Sequence, residues 1–160
     1  AALVAVQAGN RLPVHPAPPH TGPMPPVIEV TETPDSALAA CVTAGLVTAN
    51  RTMVGPSGRR AIGVFARDPG LSGGLVGYTA WGWLYVEQLW VAEAARGQGL
   101  AARLLGAAEA EARGRGCHGA WIDTFSPVAR RVYERAGYTV FGTLPDFPAG
   151  HTRWFLRKCL

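Results

Sequence analysis

Between residues 100 and 113 the apolar positions recur at helical spacing, with Leu100, Ala101, Leu104, Leu105, Ala108 and Ala112 on one stripe and Arg103, Glu109 and Arg113 on the other side. The pattern predicts an amphipathic helix that packs on a sheet. Ahead of it the period changes to two. Ala61 to Arg67 and Leu75 to Trp83 read as strands, and the turn-rich Asp68-Pro69-Gly70-Leu71-Ser72-Gly73-Gly74 between them predicts an antiparallel hairpin. Leu84 to Val91 continues as a further strand. Upstream, a short strand near Val27 to Val30 and a helix from Ser36 to about Ala49, entered through Thr33-Pro34-Asp35, are expected. Downstream, Ala120 to Asp123 is a short strand, and Ser126-Pro127 supplies an N-cap and a first-turn proline for a helix that stops at Gly137. Tyr138 to Gly142 and Arg153 to Lys158 are the last two strands. The order βα, a meander, βαβα and ββ defines an α/β chain with a mixed sheet flanked by helices.

Composition changes the picture at the N-terminus. Seven of the 13 prolines fall within the first 26 residues, so residues 1–26 read as a proline-rich arm or an added extension, with Met24 a candidate natural start. Residues 27–160 then form one domain, a size that buries roughly 70% of its unfolded surface. No uninterrupted apolar run reaches the ~20 residues of a membrane span, and a soluble protein is expected. The net charge of +4 comes from scattered arginines, which gives no nucleic-acid stripe and suits a small anionic ligand. Three cysteines without CxxC spacing imply neither a disulfide framework nor a zinc site, and a reduced cytoplasm is the expected location. His118 and the histidines of the proline arm have no metal spacing, so no metal is expected.

The chemistry concentrates where the Leu84 to Val91 strand meets the helix, at Arg96-Gly97-Gln98-Gly99-Leu100-Ala101-Ala102. Two glycines let backbone N–H groups approach an anion, and the helix start adds the positive end of its dipole. The stretch from Gly97 also satisfies GxGxxA, with Asp123 ending the next strand, so a dinucleotide-binding oxidoreductase fragment is a rival. Against that rival, Ala92 to Arg96 separate strand from glycine and the preceding strands look antiparallel. A second GxGxxG at Gly114 leads from a helix into a strand, the wrong polarity for such a site.

Arg96, Gly99 and Ala101 match [QR]-x-x-G-x-[GA], and Ala129 to Tyr138 match A-x-x-x-Y-x-x-x-G-[FY]; with these two motifs in order, the chain resembles the GCN5-related N-acetyltransferase superfamily over roughly Val27 to Leu160. The resemblance implies an acyl-CoA N-acyltransferase fold, with a mostly antiparallel sheet and a splayed parallel strand pair. It implies acetyl-CoA as acyl donor and direct transfer to an amine in a ternary complex. Gly97 to Ala102 and Arg96 would meet the pyrophosphate, and the backbone of Leu89, Trp90 and Val91 would pair with the pantetheine arm. Tyr133 would be the general acid, although the helix alone reads it as a core aromatic. Ser126 stands where the family often has a coenzyme-contacting asparagine, and an N-cap role competes. Glu87, on a strand face with Tyr85, Leu89 and Val91, is a base acting through water if partly buried; a salt-bridged edge carboxylate is the other reading. Trp83, Phe125, Asp146 and His151 could line the acceptor pocket, with packing, turn and surface roles as alternatives. The acceptor would be a small-molecule or peptide amine, with nucleic acid and membrane disfavoured and homodimerisation left open. A noncatalytic acyl-CoA sensor is the remaining alternative.

Overall fold

The computed structural model describes residues 26–160. Its elements are α1 (Ser36–Val54), β1 (Arg60–Asp68), β2 (Gly70–Ala80), β3 (Trp83–Val91), a single 3-10 turn (Glu93–Ala95), α2 (Leu100–Gly114), β4 (Gly119–Thr124), α3 (Pro127–Arg135), β5 (Thr139–Pro145) and β6 (Thr152–Cys159). Six strands form one sheet in the order β1-β2-β3-β4-β6-β5. Every neighbouring pair is antiparallel except β3 and β4, which are parallel. This is the mixed sheet expected from the pattern. The proline-rich arm lies outside the described residues except for its last residue, Pro26.

Both α2 and α3 pack on one face of the sheet. The core there joins Leu104, Leu105, Ala108 and Ala112 of α2 to Ile62, Leu75, Leu84, Val86, Ile122 and Leu156 of the strands, with Tyr133 and Tyr138 closing it. Glu109 departs from the expected solvent-facing position. It is 3% exposed, and its Oε2 accepts a hydrogen bond from Lys158 Nζ at 2.6 Å. The cause is tertiary: β6 brings a cation to a helix position that the local pattern reads as outward.

The opposite face carries the other half of each strand alternation: Phe65, Tyr78, Tyr85, Trp83, Trp121, Phe141 and Phe155. Tyr85 stacks on Trp121 with centroids 3.8 Å apart, Tyr78 meets Tyr85 edge-on at 5.4 Å, and Phe141 lies beside Phe155. No helix among the described residues covers this face.

The N-terminal region differs from expectation. Val27 to Val30 form no strand and are exposed, because no sheet edge runs beside them to supply hydrogen-bond partners. The first helix continues to Val54. Asp35 Oδ1 caps it by accepting from the N–H groups of Ala37 and Leu38, each at 2.9 Å. With 19 residues and a mean hydropathy of 1.3, α1 is long and apolar enough to cross a membrane, yet Thr43, Thr48, Asn50, Arg51 and Thr52 interrupt its apolar run.

Candidate active site

Parallel pairing between β3 and β4 is short. Trp83 to Val86 pair with Gly119 to Ile122, and from Glu87 onward the edge of β3 that faces β4 carries no strand. The departure coincides with a β-bulge: Gly77 pairs Val86 and Val76 pairs Gln88, so Glu87 is the extra residue. A bulge bends its strand and raises the local twist. Here it turns β3 away from β4 and leaves a wedge with unpaired backbone groups on one wall.

The bulge also corrects the expected face of Glu87. Leu89 and Val91 join the core side with Leu84 and Val86, so Glu87 does not share their face. Its side chain is 38% exposed, and Arg59 lies 3.9 Å from its carboxylate. The geometry found is that of the salt-bridged carboxylate, with part of the side chain open to solvent.

Beyond β3, the 3-10 turn fills the offset between strand and glycines, and Arg96 Nε donates to Val91 O at 3.3 Å. Gly97 and Gly99 have φ of 75° and 74°, a region that side chains rarely adopt. They let the chain turn sharply into α2, whose first N–H groups at Leu100, Ala101 and Ala102 have no partner within the helix. Gln98 points elsewhere, its Nε2 bonded to Ala94 O at 3.0 Å.

Between α2 and α3 runs a groove made of two adjoining cavities. One, of about 410 Å³, is lined by Arg96, Gly97, Gly99, Ala102, Val132 and Arg135 among others. The second, of about 490 Å³, is lined by Leu89, Trp90, Ser126, Ala129 and Tyr133, and both touch Val91, Arg96 and Ala101. All the expected coenzyme-binding residues except Gln98 thus border one groove. A larger depression of about 700 Å³ lies on the other side of the glycine loop, against Arg67, Leu71 and Arg103, and holds none of the expected catalytic groups.

Tyr133 projects from α3 and is 5% exposed. Burial, with the Asp123 carboxylate as a second cause, pushes its phenol up to about 12 from the ordinary 10.0. Its hydroxyl makes no side-chain hydrogen bond within the described residues, and the residue borders the second cavity. Tyr138 is the contrasting case. Its hydroxyl is sealed without a partner, and burial beside Glu109 raises its pKa far beyond the usual range. Ser126 is the N-cap of α3, its Oγ accepting from the N–H of Ala129 at 3.2 Å.

The residues expected to line an acceptor pocket are dispersed. Trp83 sits at the end of β3 remote from the wedge, edge-on to His118 at 5.4 Å. Asp146 is a turn residue, its Oδ1 accepting from the N–H of Gly150 at 2.7 Å. His151 closes the same turn through its backbone, and Phe125 is exposed beside Ser126.

Asp123 is the group that sequence reasoning placed only in a rival motif. It lies at the mouth of the wedge on β4, paired with Arg153 through Nε at 2.6 Å and Nη2 at 2.5 Å, while Tyr85 Oη approaches Oδ1 at 3.4 Å. The alternation of Trp121 and Asp123 against the buried Ala120 and Ile122 puts it on the open face, and that signal was present in the sequence. Its partners come from other strands and were not.

An antiparallel β2 beside β3, an intervening turn before the glycines and a splayed parallel pair do not make a dinucleotide fold. They define an acyltransferase fold with a groove that ends at a buried phenol. The chain belongs to the Acetyltransferase (GNAT) family, whose description matches residues 39–138. It is 50% identical to "Acetyltransferase Atu2258" of Agrobacterium fabrum over 115 residues, 71% of this chain and 84% of that protein. It is 46% identical to the blasticidin-S acetyltransferase of Streptomyces morookaense over 89 residues, 55% of this chain and 65% of that one. Among solved structures, a protein from Agrobacterium tumefaciens assigned as an acetyltransferase superposes with a TM-score of 0.79 at 42% identity, covering 84% of this chain and 99% of its own. The protein is an N-acetyltransferase.

Proposed function

We propose that the enzyme uses acetyl-CoA and transfers its acetyl group directly to the amine of a small molecule. The observation that carries this reading is the groove itself, which joins the uncapped start of α2, the unpaired edge of β3 and Tyr133. The chemistry of these groups fits the coenzyme part by part. Free N–H groups at Leu100 to Ala102, with the Arg96 guanidinium, suit a pyrophosphate; the helix terminus stabilises a charge placed there by about 0.3–1 kcal/mol, the N–H groups acting together. The open edge of β3 at Leu89 to Val91 suits an extended amide-containing arm that pairs as a strand would. One of its N–H groups would polarise the thioester carbonyl.

Tyr133 then serves the leaving sulfur. A thiol has a pKa near 8.5 and an ordinary phenol 10.0, so full proton transfer is uphill by about 2 kcal/mol in water, and burial that pushes the Tyr133 phenol up to about 12 makes it a still weaker acid. Its role is hydrogen-bond donation to the sulfur as negative charge develops. Glu87 faces the side from which the amine arrives and is the proposed proton acceptor, through water. Asp123, held by Arg153, fixes the negative end of the acceptor side. The acceptor class is supported by the relative named for blasticidin S and by a nourseothricin acetyltransferase of the same fold, TM-score 0.56 at 25% identity.

Release of free thiol from acetyl-CoA, measured across a panel of antibiotic amines, polyamines, amino acids and peptides, tests the proposal. Turnover confined to small-molecule amines supports it. Preferential turnover of peptide N-termini overturns the acceptor class, and calorimetric binding of NAD(H) in preference to acetyl-CoA overturns the donor.

A further inference from the structure

The open face of the sheet carries a row of planar groups that ends in a slot. Across β2, β3 and β4, the Arg59 guanidinium carbon lies 3.5 Å from the Tyr78 ring centroid, Tyr78 meets Tyr85 edge-on at 5.4 Å, and Tyr85 stacks on Trp121 at 3.8 Å with 13° between the planes. Beyond Trp121 the row stops. A cavity of about 260 Å³ opens there between Trp83, Trp121, Phe141 and Arg157, and the Phe141 residue is 54% exposed. Gly119 shapes one end of it. A Cβ at that position would lie 2.6 Å from the Trp83 ring, so the bare backbone lets Trp83 lean across β4. The volume is below the roughly 300–1,000 Å³ of a pocket that takes a whole drug-sized ligand, and suits one ring of a longer molecule.

Charges on this face are matched except at the slot. Arg59 lies 3.9 Å from the Glu87 carboxylate, and Arg153 Nε donates to Asp123 at 2.6 Å. Arg157, opposite Trp121 in the register of β6 and β4, is exposed, and its guanidinium meets no carboxylate among the described residues. Its guanidinium carbon is 6.0 Å from the Phe141 ring centroid. A guanidinium with free donors, beside a slot walled by rings, suits a planar group whose edge carries a carboxylate, which it can grip with two parallel hydrogen bonds. The ring of that group would continue the row beside Trp121. Asp123 follows two residues along β4 on the same face, about 7 Å away at about 3.3 Å per residue. A ring in the slot and an amine beside Asp123 are thus the two ends of one elongated molecule that lies along β4 toward the wedge.

We propose that the slot between Trp121 and Phe141 is a specificity subsite for the acceptor: it takes an aromatic ring bearing a carboxylate, which Arg157 holds, and so sets how far the amine must reach to enter the wedge. The inference rests on the reading of the enzyme as an acetyltransferase of small-molecule amines, and names which of them it selects. Trp83, a residue expected to line the acceptor pocket, then belongs to the ring end of that pocket and not to the thioester end. Polyamines offer neither ring nor anion and leave both the slot and Arg157 unused.

Thiol release from acetyl-CoA with four amines gives the test: para-(aminobutyl)benzoate, phenylbutylamine, para-(aminomethyl)benzoate and butylamine. The first is expected to exceed each of the others at least tenfold in kcat/KM, since they lack in turn the anion, the reach and the ring. Arg157→Met, at an exposed position, is expected to raise the KM for para-(aminobutyl)benzoate at least tenfold and to leave that for phenylbutylamine within twofold. Phe141→Ala is expected to raise the KM for both of these ring amines at least threefold and to leave that for butylamine within twofold. Circular dichroism spectra matching the parent verify that both variants fold. Equal or absent turnover across the four amines while other small-molecule amines react overturns the proposal, as do variant effects that ignore the carboxylate or the ring, whatever then lies over the slot, α1 of the same chain included. If no small-molecule amine is acetylated, the proposed function fails and the slot is read by itself. Binding of para-butylbenzoate, followed by saturation-transfer NMR, is expected with the unaltered enzyme and is expected to be lost in Arg157→Met; no binding to the unaltered enzyme overturns the subsite.

Discussion

Removing the Tyr133 hydroxyl separates its chemical from its structural contribution. The ring fills the core at 5% exposure, and the hydroxyl makes no side-chain hydrogen bond within the described residues, so Tyr133→Phe conserves packing and orphans no partner. Stability near neutral pH is therefore expected to change by less than about 0.5 kcal/mol. Activity is expected to fall by roughly 10- to 1000-fold in kcat, within or below the usual range for a positioned proton donor, with little change in the KM for acetyl-CoA. Alkaline stability supplies an independent readout. Because the folded phenol holds its proton up to about 12 and the unfolded one only to 10.0, the folded state binds it more tightly. The associated stabilisation is complete below pH 10 and is lost as pH rises through 12, a total of about 2–3 kcal/mol. Tyr133→Phe removes this term, and is expected to unfold at higher pH than the parent in alkaline titrations followed by circular dichroism. Thiol release with a 5,5′-dithiobis reagent and a panel amine measures the kinetic half. An unchanged kcat would remove the proposed role of the hydroxyl, and an unshifted alkaline transition would contradict the burial argument.

Three further outcomes are expected. Gly99→Val forces a β-branched residue into φ of 74°, costing about 1–3 kcal/mol, and should raise the KM for acetyl-CoA at least tenfold while sparing the KM for the amine; steady-state kinetics check it. Lys158→Met leaves Glu109 buried at 3% exposure without its short ion pair, and should cost about 3–5 kcal/mol in urea unfolding; Arg113, 3.7 Å away and half exposed, is a weak substitute. Gly77→Ala places a Cβ 2.1 Å from Tyr85 O, so the strands at the bulge must part, with an expected loss of about 1–3 kcal/mol and a lower kcat; differential scanning calorimetry and thiol release measure the two effects.

What the sequence made legible was local. The junction from β3 into α2 is written in Arg96, Gly97 and Gly99, and α3 is bounded by Ser126-Pro127 and Gly137, so helical period, cap and glycine agree there. What it hid was set by distant partners. Glu109 reads as solvent-facing until Lys158, 49 residues away, is brought beside it. Asp123 reads as a strand end until Arg153 and Tyr85 converge on it. Val27 to Val30 have strand composition and no neighbouring edge, and composition cannot supply one.

Glu87 shows most clearly why the site could be located and yet misdrawn. In Val86-Glu87-Gln88-Leu89 two adjacent polar residues interrupt an alternation, and either can be the one that is inserted. The structure resolves the ambiguity through the opposite strand, since Gly77 lacks the Cβ that would strike Tyr85 O, and only there can β2 approach the bulge closely. The missing side chain on β2 and the extra residue on β3 are thus one device. It shifts Leu89 and Val91 to the core side, sends Glu87 to the side proposed for the amine, and opens the edge of β3 to a ligand. A single conformational irregularity therefore separates the two substrates' approaches, with the groove on one side of the sheet and Glu87 and Asp123 on the other.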